Sequence, residues 1–138
     1  MAQSNSSVNR GMVVGHGLDV VDIEDFSRLL SEPAYSYLNR YFTNEELTAA
    51  GGGVTQIQRL AGRFAVKEAV MKVLGMGWGK GVAFTDVEVV TLETGAATVL
   101  LRRKLASLAQ ERKIIGWLVS VSHTRTVAVA SVIAVSEH

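Results

Sequence analysis

Glu68 is a carboxylate at a position where the sequence otherwise places apolar residues. The segment 54–74 carries apolar side chains at the three- and four-residue spacing of a buried helix face, and Glu68 lies four residues after Phe64 and three before Met71. A buried carboxylate without a partner is strongly unfavourable. Glu68 therefore either pairs with Lys72, one helical turn further on, or coordinates a metal ion.

A second carboxylate, Asp19, lies in a similarly apolar setting far away in the sequence. The segment 12–21 is rich in β-branched residues, as strands are, and Asp19 interrupts it between Leu18 and Val20. Two inward-facing acids on different elements form a donor set for Mg²⁺, which completes its octahedral shell with waters and substrate phosphates. The alternative is that Asp19 caps the helix predicted to begin at residue 22.

The order of strands and helices along the sequence predicts an α+β fold, with an antiparallel sheet packed against one long helix and several shorter helices. We expect residues 1–10 to be a disordered polar leader and residues 11–138 to form a single domain. The predicted strands are 12–20, 86–91, 96–101, 117–122 and 127–135. The predicted helices are 22–30, 34–41, a helix that begins at the capping box of Thr43 and Glu46, 54–74 and 103–112. Between the long helix and the second strand, the glycine-rich segment 75–81 matches no phosphate-loop motif.

Composition excludes several classes of protein. The formal net charge is +1 and the hydrophobic fraction is 48%, a globular balance without the basic field of a nonspecific nucleic-acid-binding protein. The chain has no cysteine, which excludes disulfides, thiolate zinc and a cysteine nucleophile. The polar N-terminus lacks the apolar core of a signal peptide, and no apolar run is long enough to span a bilayer. We therefore expect a cytoplasmic protein that acts on neither nucleic acid nor membrane.

Three sequence blocks occur in a fixed order: GLDVVDI from Gly17, AGRFAVKEAVMK from Ala61 and VSVSHT from Val119. Together they resemble the 4′-phosphopantetheinyl transferases, specifically the small holo-[acyl carrier protein] synthase type. The segments FTNEEL and FTDVEVV also resemble parts of that family, so the similarity covers nearly everything after the leader. The central block, with a lysine four residues after its glutamate, is the most specific of the three.

The resemblance implies an enzyme that transfers the 4′-phosphopantetheine group from coenzyme A to a serine of an apo acyl carrier protein or carrier domain. It implies Mg²⁺ dependence, release of adenosine 3′,5′-bisphosphate, a role in fatty acid synthesis and a homotrimer with coenzyme A between neighbouring chains. The family's metal ligands fall on Asp19 and Glu68; we predict Glu68 as the general base and Lys72 as a catalytic phosphate contact. The predicted contacts to coenzyme A are Arg63, Lys67, Lys72, Ser122, His123 and Thr124.

Some of these assignments have structural alternatives. Arg63 and Lys67 lie four residues apart on a neighbouring helix stripe, and both could belong to a solvated helix face. His123 could be a hydrogen-bonded structural residue instead of a ligand contact. In the family, basic residues on the helix after Asp19 often meet the acidic face of the carrier, whereas this chain has acids there, with Arg28 as the only cation. Either the carrier is a domain of a larger synthase with a less acidic face, or Arg28 and Arg40 steer the docking of the carrier.

Two other classes of protein remain open on the sequence. One is a coenzyme-A-binding module without catalysis, against which the presence of Asp19, Glu68 and Lys72 argues. The other is a structural interaction domain in which both acids are paired in the core. A magnesium titration separates this last class from the enzyme, because a structural ion pair does not respond to the metal.

Overall fold

The computed structural model describes residues 11–32 and 38–137 of the chain. The strands within these ranges are β1 (Met12–Asp22), β2 (Val87–Thr91), β3 (Ala97–Leu101), β4 (Ile114–His123) and β5 (Val127–Ser136). The α-helices are α1 (Ile23–Ser31), α2 (Asn44–Ala50), α3 (Gln56–Leu74) and α4 (Arg103–Glu111), with 3₁₀ turns at Leu38–Arg40 and Phe84–Asp86. The predicted leader, and residues 34–37 of the helix predicted at 34–41, lie outside the described residues.

The predicted antiparallel α+β class is confirmed, although the described strands form two sheets instead of one. Strand β5 lies between β1 and β4 in a three-stranded sheet, and β2 pairs with β3 in a separate two-stranded sheet. Strand β3 packs close to β4 without joining its hydrogen-bonded ladder. Hairpins can be predicted from local sequence, but whether two hairpins share a ladder depends on contacts between distant segments.

Helix α3 packs closely across the inner face of the three-stranded sheet, against β1 and β5. The inner positions of β5 include Ala128, Ala130 and Ala134, which are fully buried. On β1, a Cβ atom added to Gly17 would lie 2.2 Å from the carbonyl oxygen of Ala69, so only glycine permits this approach. Because side chains alternate along a strand, Asp19 shares this inner face with Gly17 and lies beside α3.

The ends of the helices follow the predicted signals. Thr43 and Glu46 form the predicted capping box at the start of α2, and Gly75 ends α3 in the left-handed conformation (φ 66°, ψ 31°). At the start of α1, Asp22 is the N-cap residue and its side chain accepts a hydrogen bond from the backbone of Asp25. Among the described residues, none of the helices has the length and apolar character needed to cross a membrane.

Candidate active site

Asp19 and Lys72 form an ion pair between β1 and α3. The Lys72 Nζ lies 3.0 Å from Asp19 Oδ1, and the Asp19 side chain is only 15% exposed. Lys72 Nζ also donates to the backbone carbonyl of Leu18, 2.8 Å away. The alternative role of Asp19 as a helix cap is wrong, because Asp22 occupies the N-cap position of α1.

Glu68 lies in the same cleft as Asp19 but has a different partner. Its Oε1 accepts a hydrogen bond from the indole Nε1 of Trp78 at 2.7 Å. Partial burial raises the pKa of Glu68; the Trp78 hydrogen bond opposes this shift, the Asp19 carboxylate adds to it and Lys72 opposes it. Among the described ion pairs, Lys72 is bound to Asp19 and not to Glu68, so the alternative of a Glu68–Lys72 pair is not formed.

The two acids open onto a shared surface, which we call the carboxylate cleft. Its lining includes Asp19, Asp22, Asp25, Phe26, Phe64 and Glu68. The repulsion between Asp19 and Glu68 would be relieved by a bound cation. No cluster of three or more histidine, cysteine or acidic side chains suited to a metal is found among residues 11–32 and 38–137. A pair of carboxylates fits Mg²⁺, which takes its other ligands from water and substrate phosphates.

A second concavity, the arginine cavity, contains several of the residues predicted to contact coenzyme A. Its lining includes Arg59, Arg63, Thr91, Ser122 and His123. Its volume is about 200 Å³, below the range of roughly 300–1,000 Å³ in which clefts enclose a drug-sized ligand. The cavity of one chain therefore encloses only part of a molecule as long as coenzyme A.

The Arg63 guanidinium is incompletely paired within the arginine cavity. It donates to the carbonyl of Arg59 at 3.4 Å and to the Thr91 hydroxyl at 3.5 Å, both long for hydrogen bonds. Its buried Nε has no partner. Burial lowers the pKa of Arg63, the Glu46 carboxylate opposes this shift and the neighbouring Arg59 adds to it. An incompletely satisfied cation beside a second arginine is a suitable binding group for an anion.

The three predicted contacts at the end of β4 differ in their surroundings. Ser122 and His123 line the arginine cavity, and His123 Nδ1 lies 3.2 Å from the carbonyl oxygen of Thr124. The Thr124 hydroxyl accepts hydrogen bonds from the backbone N–H groups of Thr126 and Val127. Thr124 therefore shapes the turn between β4 and β5, next to the cavity.

Lys67 is not placed to bind coenzyme A, and this prediction is wrong. Its side chain is 0% exposed, and Nζ lies 2.9 Å from Glu46 Oε1. The same Nζ donates to the carbonyl of Phe84 at 3.0 Å and to that of Val87. Burial lowers the pKa of Lys67, while Glu46 opposes this shift. The alternative that Lys67 lies on a solvated face of the helix is also wrong. The middle of α3 is buried on opposite sides, and Lys67 lies in this buried part.

The residues assigned to carrier docking are exposed. Arg28 forms an ion pair with Asp25 and a looser one with Glu24 at 3.8 Å, all on α1. Arg40 is exposed at the end of the 3₁₀ turn Leu38–Arg40. The α1 face beside the carboxylate cleft therefore carries more negative than positive charge.

Trp78 is a site residue that the sequence analysis missed. Its glycine-rich segment was predicted only to match no phosphate-loop motif, yet the indole contacts Glu68 directly. A large aromatic residue between glycines was the available signal, because such a side chain gains most from packing against a neighbouring element.

Residues 15–130 match the sequence profile of the 4′-phosphopantetheinyl transferase superfamily. The chain therefore belongs to this superfamily, and the resemblance carried by the three sequence blocks is confirmed. It is similar to a holo-[acyl-carrier-protein] synthase of Frankia alni, with 40% identity over 124 residues, which are 90% of this chain and 98% of the relative.

Solved structures of holo-[acyl-carrier-protein] synthases share the fold. The crystal structure from Neisseria meningitidis matches with a TM-score of 0.78 and 28% identity, over 89% of this chain and 98% of that chain. The structure from Bacillus anthracis, solved in complex with CoA (3′,5′-ADP), matches with a TM-score of 0.72 and 31% identity, over 91% and 98% of the two chains.

Proposed function

We propose that this protein is a holo-[acyl carrier protein] synthase, which transfers 4′-phosphopantetheine from coenzyme A to a serine of an apo acyl carrier protein or carrier domain. The observation that carries the proposal is the meeting of Asp19, Glu68 and Lys72 across β1 and α3, in a chain of this superfamily. The product is a carrier ready for fatty acid synthesis. We infer that residues 11–138 act as one transferase domain. Because the reaction consumes coenzyme A, we also place the protein in the cytoplasm.

The reaction is a phosphoryl transfer in which positioning and charge neutralisation dominate. The carrier serine oxygen forms a bond to the pantetheine-side phosphorus, the bridging P–O bond of the pyrophosphate breaks, and adenosine 3′,5′-bisphosphate leaves with the bond's electron pair. We assign Glu68 as the base that accepts the serine proton, since its carboxylate lines the same cleft as Asp19 and a general base must lie within reach of the proton that it removes. Lys72 supplies positive charge beside the phosphates.

We assign the divalent cation to Asp19 and Glu68, with Mg²⁺ as the ion. When bound, Mg²⁺ neutralises charge on the pyrophosphate oxygens and acts as a Lewis acid. The support for this assignment is the pair of carboxylates on two rigid, closely packed elements and the repulsion between them.

We assign coenzyme A contacts to Arg63, Ser122 and His123, with Thr124 holding the turn beside them and Lys72 on the pyrophosphate. The incomplete pairing of Arg63 supports a phosphate contact. The carboxylate cleft and the arginine cavity are separate concavities of the same chain. A ligand that contacts both the carboxylate cleft and the arginine cavity therefore binds where the cleft of one chain meets the cavity of another chain.

We expect the protein to be a homotrimer with such composite sites. The outer face of the three-stranded sheet exposes Leu18, Val20 and Leu118 at 53%, 60% and 60%, and several large apolar side chains exposed on one face are typical of an interface. Leu118→Glu places a charge on this face and should give monomers without transferase activity. Sedimentation of the wild type and the variant measures the assembly state directly.

The matched control for this variant is Val54→Glu, because Val54 is 91% exposed and belongs to none of the described strands. This variant should remain trimeric and active. A wild-type monomer that is active at assay concentrations would contradict the composite site. A Leu118→Glu variant that stays trimeric and active would contradict the placement of the interface on this sheet face.

The acidic face of α1 predicts an unusual preference among carriers. Arg28 is engaged by Asp25 and Glu24 on its own helix, which leaves little positive charge to attract an acidic carrier. Asp25→Arg should lower KM for a strongly acidic carrier by about three- to tenfold at low salt, since each exposed ion pair contributes up to about 1 kcal/mol. Arg28→Glu should raise the same KM and leave KM for coenzyme A unchanged.

Initial rates against carrier concentration, at low and moderate salt, test this preference. The effects of both variants should shrink as salt increases, because exposed charges are screened. If neither variant changes the carrier KM, the docking surface lies away from α1.

The activity itself is tested by incubating the full chain with coenzyme A, Mg²⁺ and a panel of apo carriers that differ in net charge. The intact mass of at least one carrier should rise by a single phosphopantetheine group. A carrier with its acceptor serine replaced by alanine should stay unmodified. A folded protein that modifies no carrier in the panel would refute the proposed function.

A further inference from the structure

Trp78 is held firmly although it lies among glycines. Gly77 and Gly79 on either side are exposed, whereas Trp78 is half-buried. The turn that follows is closed by two backbone hydrogen bonds between Gly79 and Val82, at 3.0 and 3.1 Å. Glycine supplies the positive φ of 90° at Gly79. The backbone thus turns sharply after Trp78, and the indole lies against the protein.

The indole ring is fixed by an aromatic stack. Trp78 stacks on Phe84 with ring centroids 4.0 Å apart, and Phe84 stacks in turn on Phe64 at 5.5 Å. Phe64 is on α3, one turn before Glu68. The backbone carbonyl of Phe84 also accepts a hydrogen bond from the buried Lys67 Nζ at 3.0 Å. The ring is therefore held by the same helix that carries Glu68.

The fixed indole presents its only hydrogen-bond donor to Glu68. The Trp78 Nε1–H donates to Glu68 Oε1 at 2.7 Å, and an indole can only donate, never accept. Oε2 has no partner among the described hydrogen bonds and stays available to another group. A glutamate side chain is flexible, and restricting it before a ligand binds reduces the entropy lost on binding.

We propose that Trp78 is a positioning residue for the cation site: it orients the Glu68 carboxylate and leaves Oε2 for the divalent cation. This inference rests on the proposed function, since that function assigns the cation to Asp19 and Glu68. Trp78 acts through Glu68. Groups that hydrogen-bond to metal ligands in this way typically contribute about 10- to 100-fold to metal affinity or activity.

The test compares Trp78→Phe with Trp117→Phe, since the chain has two tryptophans. Phenylalanine keeps a six-membered aromatic ring beside Phe84 and removes the N–H donor together with the pyrrole part of the indole. Calorimetric titration with Mn²⁺, without a carrier, should show affinity about tenfold or more weaker for Trp78→Phe, and wild-type affinity for Trp117→Phe. Thermal melts confirm that both variants are folded. In Trp117→Phe, the remaining Trp78 fluorescence should change when Mg²⁺ is added.

Three results would overturn the inference: wild-type Mn²⁺ affinity in Trp78→Phe, an equal loss in Trp117→Phe, or no cation binding by the wild-type chain. These results are separable from failure of the proposed function, because the titration needs no carrier. If the wild type modifies no carrier but Trp78→Phe still weakens cation binding, the proposed function fails and the positioning role stands.

Discussion

Asp19→Ala and Glu68→Ala are each expected to lower kcat for carrier modification by about 100-fold or more. Stabilisation of transition-state charge by a bound metal contributes several kcal/mol, and about 1.4 kcal/mol corresponds to tenfold in rate. The two acids lie on different elements, β1 and α3, and no other acid of the cleft is placed beside Lys72 among the described ion pairs. Steady-state rates at saturating coenzyme A and carrier give kcat for each variant.

Glu24→Ala is the matched control, because Glu24 is an exposed acid on α1 whose only described partner is Arg28. Its kcat should equal that of the wild type. Circular dichroism and thermal melts show whether the inactive variants are folded; removal of a half-buried acid is not expected to unfold the chain. Near-normal kcat in a folded Asp19→Ala or Glu68→Ala variant would refute the two-carboxylate site.

Lys67→Met is expected to lower the free energy of unfolding by about 3–5 kcal/mol, because it leaves Glu46 charged and buried without its cation. Glu46 is fully buried and also accepts hydrogen bonds from the backbone N–H groups of Thr43 and Val89, at 2.9 and 2.8 Å. These bonds fix the carboxylate in place when the lysine is lost. Urea unfolding of the wild type and the variant measures the difference.

Lys72→Met is the matched control on the same helix. The Lys72 side chain is 56% exposed, so its removal should change stability by less than about 1 kcal/mol, while the transferase rate should fall. Loss of Lys67 is thus expected to lower the free energy of unfolding, whereas loss of Lys72 is expected to lower the transferase rate. A Lys67→Met variant with wild-type stability and a raised KM for coenzyme A would contradict this expectation and support the coenzyme A contact predicted for Lys67 from the sequence.

The carboxylates of the site could be predicted from the sequence, because each is a charge in an otherwise apolar pattern. Asp19 interrupts a strand and Glu68 interrupts a helix stripe. Such interruptions are visible without knowledge of tertiary contacts, since burial of a charge requires compensation wherever it occurs. The resemblance then assigned both acids to the same metal.

The role of Lys67 could not be predicted in this way. A helix stripe identifies one buried face and implies that the opposite face is solvated. Helix α3 is instead covered by the sheet on one side and by α2 and β2 on another, so a lysine outside the stripe is also buried. Its partner, Glu46, was recognised only as a capping-box residue, and its second role depends on packing between α2 and α3.

The contacts of Trp78 and Arg28 also could not be predicted from local sequence patterns. Trp78 reaches Glu68 because a glycine turn directs the indole back onto α3, and the sequence alone does not determine the path of such a turn. Arg28 was predicted as a docking cation, and the structure adds that it forms ion pairs with acids on the same helix. The division of the strands into two sheets likewise depends on which distant segments pair.

The proposed site holds one divalent cation between Asp19 and Glu68, and the transfer depends on this cation. Electron paramagnetic resonance of Mn²⁺ in the presence of coenzyme A counts bound cations directly, without a carrier. The wild type should bind one Mn²⁺ per chain, and Asp19→Ala and Glu68→Ala should each bind none at the same concentrations. Full Mn²⁺ occupancy in both folded variants would contradict the claim.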